Sequence, residues 1–69
     1  MSQIIREKLA NNIKKFRLKK RLKREELSLA LGFDNSYISK LEKSRVNITL
    51  DKIEKIANYF EVEPHILLK

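Results

Sequence analysis

Apolar residues recur along the chain at spacings of three and four, the period of an α-helix, and do not cluster in the alternation that marks a strand. Ile5, Leu9, Ile13 and Phe16 form the first such series. They predict one stripe on a helix that starts after Ser2, a good N-cap, and reaches Lys20 or Arg21. Leu22 marks a tight connection. A second helix is predicted over 24–31, with Glu25 and Glu26 in the first turn, where the helix dipole favours acids, and with Leu27 and Leu31 inward beside the small Ser28 and Ala30. Gly32 is the only glycine and stands where a helix ends in a left-handed residue. Phe33 returns to the core, and Asp34 is expected to cap a third helix over 35–43. After a loop containing Asn47, Thr49 can cap a fourth helix expected from Leu50 to about Phe60, with Leu50, Ile53, Ile56, Ala57 and Phe60 on one side. Pro64 suits the first position of a last short helix that turns Ile66 and Leu67 inward. The pattern predicts an all-α, five-helix bundle and one domain, residues 1–69.

Helix, tight turn and helix over about 24–43 is the helix-turn-helix geometry, whose second helix can enter the major groove of DNA. Faces follow from a turn of about 100° per residue. With Ile38 on the core side, Leu41 and Glu42 lie with it. Ser36, Lys40 and Lys43 lie opposite, flanked by Ser39 and Ser44, with Tyr37 on a shoulder and Asn35 at the tip. Asn pairs bidentately with adenine, Lys reaches guanine, and Ser bonds several bases. An ordinary solvent face would also be polar, so the preceding turn and the neighbouring basic run carry the functional reading. Glu42 on the inward side needs a partner, because an unpaired buried carboxylate is expensive.

The net charge of +7 is unevenly spread. Residues 1–24 hold ten of the sixteen Lys and Arg against one acid, Glu7, while residues 25–69 hold six basic and eight acidic residues. From Lys14 to Arg24, eight of eleven residues are basic, a one-sided field that suits a polyanion. With 69 residues the core is small, and a second copy would add buried area. There is no cysteine, hence no disulfide and no thiolate metal site, which fits a reducing compartment. No apolar run approaches the ~20 residues of a membrane span, and the N-terminus lacks a signal-peptide core. A cytoplasmic location is expected.

An enzyme is not expected. His65 is the sole histidine and reads as a lone surface imidazole beside Pro64. The chain has no phosphate-cradling glycine loop, no metal-ligand cluster and no Ser–His–acid set with supporting spacing. No metal, cofactor or small-molecule ligand is expected. No membrane partner is expected either, since the apolar stripe of the first helix is needed as core.

The stretch "REELSLALGFDNSYISKLEKS" resembles the helix-turn-helix of the Cro/CI (XRE-type) DNA-binding proteins. The shared marks are Leu27, the small Ser28, Leu31-Gly32-Phe33, Asp34, Ile38-Ser39 and Leu41-Glu42. The closing "LDKIEKIANYFEVEPHILL" fits as well, so the likeness covers about residues 9–68. It implies a lambda-repressor-like DNA-binding domain and a set of roles. Asn35, Ser36, Ser39 and Lys40 match base-reading positions, and Tyr37 a position that meets the backbone or a thymine methyl. Arg24 matches a phosphate-gripping position at the start of the second helix, and Lys43, Ser44, Arg45 and Asn47 fall in a phosphate-touching loop. Arg17 and Glu42 match an ion pair linking the first and third helices. Arg21 stands where the family often has glycine, and Lys23 where it has Ser or Thr. The second helix therefore lacks its usual side-chain N-cap, a loss of ~1 kcal/mol.

Within the family, "DNSYISKLEKSRVNITLDKIEKIA" looks most like the small controller proteins of restriction–modification systems, short dimers that bind operators. A phage-type repressor, or an antitoxin acting partly through protein binding, uses the same scaffold, though little chain is left here for a separate toxin-binding arm. The expected partners are double-stranded DNA and a second copy of the chain. Asn58, Tyr59, Phe60, Val62, Ile66, Leu67 and Leu68 offer more apolar surface than one short helix needs, and Tyr59, Ile66 and Leu68 are the candidate dimer contacts.

Overall fold

Ser2 caps the first helix through its Oγ, which accepts the Ile5 N–H at 3.2 Å. Thr49 caps the fourth in the same way, accepting the Lys52 N–H at 3.2 Å. The computed structural model, which describes residues 2–69, holds α1 (Gln3–Lys19), α2 (Arg24–Ala30), α3 (Tyr37–Glu42) and α4 (Leu50–Tyr59). A 3-10 helix at Pro64–Leu68 closes the chain. The architecture is all-α, with no strand among the described residues. The fifth element is a 3-10 turn in place of an α-helix: five residues opened by a proline leave too few amides for an α-helical ladder.

All four α-helices end alike. The residue after each C-cap is left-handed: Arg21 (φ 57°), Gly32 (φ 76°), Ser44 (φ 59°) and Glu61 (φ 57°). At each end the following residue donates its N–H back five positions, as Leu22 to Arg17 O (3.2 Å), Phe33 to Ser28 O (2.9 Å), Arg45 to Lys40 O (3.1 Å) and Val62 to Ala57 O (3.0 Å). This double-bonded ending satisfies the orphan carbonyls of the last turn. Three of the residues that close it, Leu22, Phe33 and Val62, pack on the core. Each helix end is thereby a hydrophobic return as well as a turn.

The core gathers Leu9 and Ile13 of α1, Leu27 and Leu31, Ile38 and Leu41 of α3, Ile48, Ile53, Ile56, Ala57 and Phe60, and Leu67 of the closing helix. Asn12 fastens that last helix to α1 by donating to the Leu67 carbonyl at 2.9 Å. Two residues of the apolar series lie outside the core: Ile5 is 40% exposed and Leu50 77% exposed. Both sit in a first helical turn, where the helix projects past the packed layer and periodicity loses its inward meaning. Conversely, Phe60 and Leu67 are buried in their own core and are not available to a second copy.

The third helix begins two residues later than the pattern implies. Tyr37 N–H bonds to Asp34 O at 3.0 Å, so Asn35 and Ser36 form a turn, and Ser36 is the N-cap position without a side-chain cap bond. Asp34 takes the Ser36 hydroxyl at 2.6 Å in place of capping a helix.

Gly32 offers a clean test of the left-handed ends. An alanine Cβ there would meet only Lys55 Nζ at 3.5 Å, an ordinary contact. Gly32→Ala is expected to destabilise by about 1–2 kcal/mol through its positive φ alone. Glu61→Gly is expected to stabilise by about 0.5–1 kcal/mol, the relieved strain less the added freedom of the unfolded chain. Urea unfolding measures both, and equal stability of all three proteins would contradict the assignment.

Candidate nucleic-acid interface

Two buried side chains set the angle between α2 and α3. Ser28 is fully buried. Its hydroxyl donates to Arg24 O at 3.0 Å and accepts the Ile38 N–H at 3.0 Å. That amide lies in the first turn of α3 and has no acceptor within its own helix. At the other end of α3, Glu42 receives Arg17 twice, Nε to Oε2 at 2.7 Å and Nη2 to Oε1 at 3.1 Å. The two side chains are 7% and 5% exposed. Arg17 Nη1 also donates to Leu22 O at 2.6 Å, so both charges are buried with their hydrogen bonds made. Arg24 Nε adds a third bond to Glu42 Oε1, at 3.2 Å.

The start of α2 finds a substitute for its missing side-chain cap. The Lys23 ammonium has no lone pair to offer, but Glu26 reaches back to accept the Lys23 N–H at 2.8 Å. The turn between α2 and α3 is held by aromatic contacts. Phe33 and Tyr37 meet edge to face at 4.9 Å, and the Lys52 ammonium lies over Tyr37 at 4.6 Å and over Phe33 at 5.7 Å. Lys55 covers Phe33 at 5.5 Å. Burial pushes the Tyr37 hydroxyl above its ordinary pKa, and its oxygen has no hydrogen-bond partner among the described residues. Asp34 is held below the usual carboxylate range, chiefly by the Ser36 hydroxyl; desolvation, the next largest effect, opposes it, and the Ser36 N–H, the charge of Lys40 and the Asn35 N–H add to the lowering.

On α3, Ile38 and Leu41 are buried, while Lys40 is exposed and Ser39 half-buried. Asn35 is exposed just ahead of the helix, Ser36 is half-buried, and Lys43 is exposed just beyond it. Of the loop residues, Arg45 is exposed, Ser44 half-buried, and Asn47 accepts a hydrogen bond from Arg6 Nη2 that ties α1 to the α3–α4 loop. Tyr37 is drawn into the aromatic turn and presents only part of its ring. The candidate dimer residues Tyr59 and Ile66 are half-buried, and Leu68 is 37% exposed.

A family model described as Helix-turn-helix matches residues 13–67, from the middle of α1 to the closing helix. The chain belongs to the Cro/CI (XRE-type) helix-turn-helix family. It is 33% identical over 69 residues to control protein C.BamHI of Bacillus amyloliquefaciens, covering 99% of this chain and 85% of that one. It is 41% identical over 66 residues to a hypothetical transcription factor of Neisseria meningitidis serogroup B, covering 96% of this chain but only 62% of that relative's length. Among solved structures, the hypothetical transcription factor NHTF from Neisseria superposes with a TM-score of 0.90 at 40% identity, over 94% of this chain and 75% of that one. The restriction–modification controller protein C.AhdI from Aeromonas hydrophila superposes with a TM-score of 0.81 at 31% identity, over 90% and 94% of the two chains.

Within this helix-turn-helix frame, the basic run of residues 14–24 divides. Arg17 and Arg24 go to Glu42, whereas Lys19 and Lys20 lie over the rings of Phe16 and Tyr59, each at 5.6 Å. Those rings flank Phe60, which stacks on Phe16 at 5.5 Å and meets Tyr59 edge to face at 5.3 Å. The Ser28 bridge, the Arg6–Asn47 tie and the Lys52 and Lys55 contacts had no counterpart in the periodicity. The one available signal was a hydroxyl beside Leu27 on the inner side of α2. No helix among the described residues is long and apolar enough to cross a membrane.

Removing Arg17 would leave Glu42 buried with only the half-exposed Arg24 for company. Arg17→Ala is therefore expected to destabilise by about 3–5 kcal/mol, read as a lowered thermal midpoint. An unchanged midpoint would show that the pair does not hold α1 to α3.

Proposed function

We propose that the chain is a sequence-specific, double-stranded DNA-binding transcriptional regulator. It acts as one helix-turn-helix domain per subunit, as a homodimer on a palindromic operator, with α3 in the major groove of each half-site. The observation that carries this reading is the division of α3 and the residues that flank it. Ile38 and Leu41 anchor it from behind, while Asn35, Lys40 and Lys43 stay exposed, with Ser36 and Ser39 half-open between them. Asn35, Ser36, Ser39 and Lys40 read base edges, and the open part of the Tyr37 ring lies at the groove wall. Arg24, Lys43, Ser44, Arg45 and Asn47 meet phosphates, and the net charge of +7 supplies the long-range attraction. The likeness to C.BamHI and C.AhdI favours the controller of a restriction–modification system as the biological setting.

A single module of this size buries too little surface for tight operator binding, which is the reason for a dimer. Tyr59, Ile66 and Leu68 are its contacts, the apolar surface left after Phe60 and Leu67 enter the core.

Binding measurements on variants separate the two kinds of contact. Lys43→Ala or Arg45→Ala is expected to weaken binding to all duplexes alike and to flatten the log–log salt slope by about one unit per lost phosphate contact. Asn35→Ala or Lys40→Ala is expected to cost ~1–3 kcal/mol at particular base pairs only. A sequence preference unchanged by both would move base reading away from α3. Sedimentation at tens of micromolar is expected to show a dimer, and a monomer alone would contradict the two-fold arrangement.

A further inference from the structure

We infer that Glu42 is a positioning residue for DNA binding: its carboxylate, anchored by Arg17, grips Arg24 at Nε and aims the two Nη groups of that guanidinium at a backbone phosphate. The inference rests on the DNA-binding reading above and assigns a new role inside it. Glu42 Oε1 receives both Arg17 Nη2, at 3.1 Å, and Arg24 Nε, at 3.2 Å. The two arginines stand in different surroundings. Arg17 is enclosed, whereas the Arg24 side chain is 49% exposed against 5% for Glu42. Glu42 thus reaches from the interior to the inner edge of a surface cation.

The chemistry of the guanidinium decides what this grip does. Its five N–H groups lie in one plane, and it can meet a phosphate along the Nε edge or end-on through both Nη groups. Glu42 occupies the Nε edge, so the end-on fork is the face left for an anion. Among the described residues the two Nη groups of Arg24 make no hydrogen bond. The main chain of Arg24 is fixed as well, because its carbonyl accepts the Ser28 hydroxyl. A long side chain is thereby ordered before it meets its partner, which reduces the entropy lost on binding. Charge does not oppose this. One carboxylate shared by two guanidinium groups leaves the cluster with a net positive charge, so an approaching phosphate is attracted. A plain strut, with Arg24 serving only to finish the neutralisation of Glu42, is the competing account.

Lysine separates the two. Its single ammonium can pair with Glu42 or reach outward, but it has no second edge to offer. The test measures binding of a mixed-sequence duplex of about two helical turns against salt concentration, for the unmodified protein, Arg24→Lys and Arg24→Gln. The expected result is that both variants lose about tenfold in affinity at low salt and about one unit of log–log slope. Arg24→Lys with the affinity and slope of the unmodified protein overturns the inference, since a free charge would then suffice. An Arg24→Gln variant that binds normally also overturns it, while losses at Lys43→Ala and Arg45→Ala would leave the DNA-binding reading standing. No binding of duplex by the unmodified protein overturns both. The second readout needs no variant. The Arg24 Nε–H resonance is expected to keep its hydrogen-bonded position and slow exchange when the duplex is added, while the Nη signals shift. Release of Nε on adding the duplex overturns the inference.

Discussion

A carboxylate cannot be buried alone, and Glu42 is buried at the last residue of α3. Meeting that requirement draws three helices together. Arg17 comes from α1, Arg24 from the start of α2, and the Arg17 guanidinium passes its remaining reach to the Leu22 carbonyl in the connection between them. The opposite end of α3 is held by Ser28, which gives the Ile38 amide the acceptor its own helix cannot. A six-residue helix has no stability of its own. This one is fixed at both ends by polar bonds and in the middle by Ile38 and Leu41. Its outward side chains are therefore carried on a rigid element, the condition for reading base edges with defined geometry.

The same economy governs the turns. Four helices end in left-handed residues, yet only one of those residues is glycine. The three non-glycine ends are stabilised by two backbone hydrogen bonds each, which offset the strain of a positive φ. Leu22, Phe33 and Val62 then lead the chain back into the core. Gly32 occupies the turn that sets α3 on α2, the one whose angle decides where the polar face points.

The periodic apolar residues already carried α1, α2 and α4, the inward set on α3 and most of the core, because burial imposes the helical period directly. The need of Glu42 for a partner was also legible, since it follows from the cost of a buried charge. The ends of elements were not. Ile5 and Leu50 continue the spacing but lie where the helix overhangs the core, and Asp34, Asn35 and Ser36 signal a turn and a cap with the same polar residues. Contacts between distant segments were equally hidden. Nothing local tells that Arg24 will share Glu42, that Ser28 will meet Ile38, or that Lys19 and Lys20 will settle over Phe16 and Tyr59 while Lys52 and Lys55 cover Phe33. Cations look alike in sequence, and their destinations depend on packing.

The central claim is that two copies of α3 face the major groove and read its edges. Selection of binding sites from random duplex DNA, at a stated salt concentration, tests it most directly. The account predicts an enriched motif with two-fold symmetry, its half-sites centred about one helical turn apart, ~34 Å. Enrichment of no motif, or of an unpaired and asymmetric one, would contradict it.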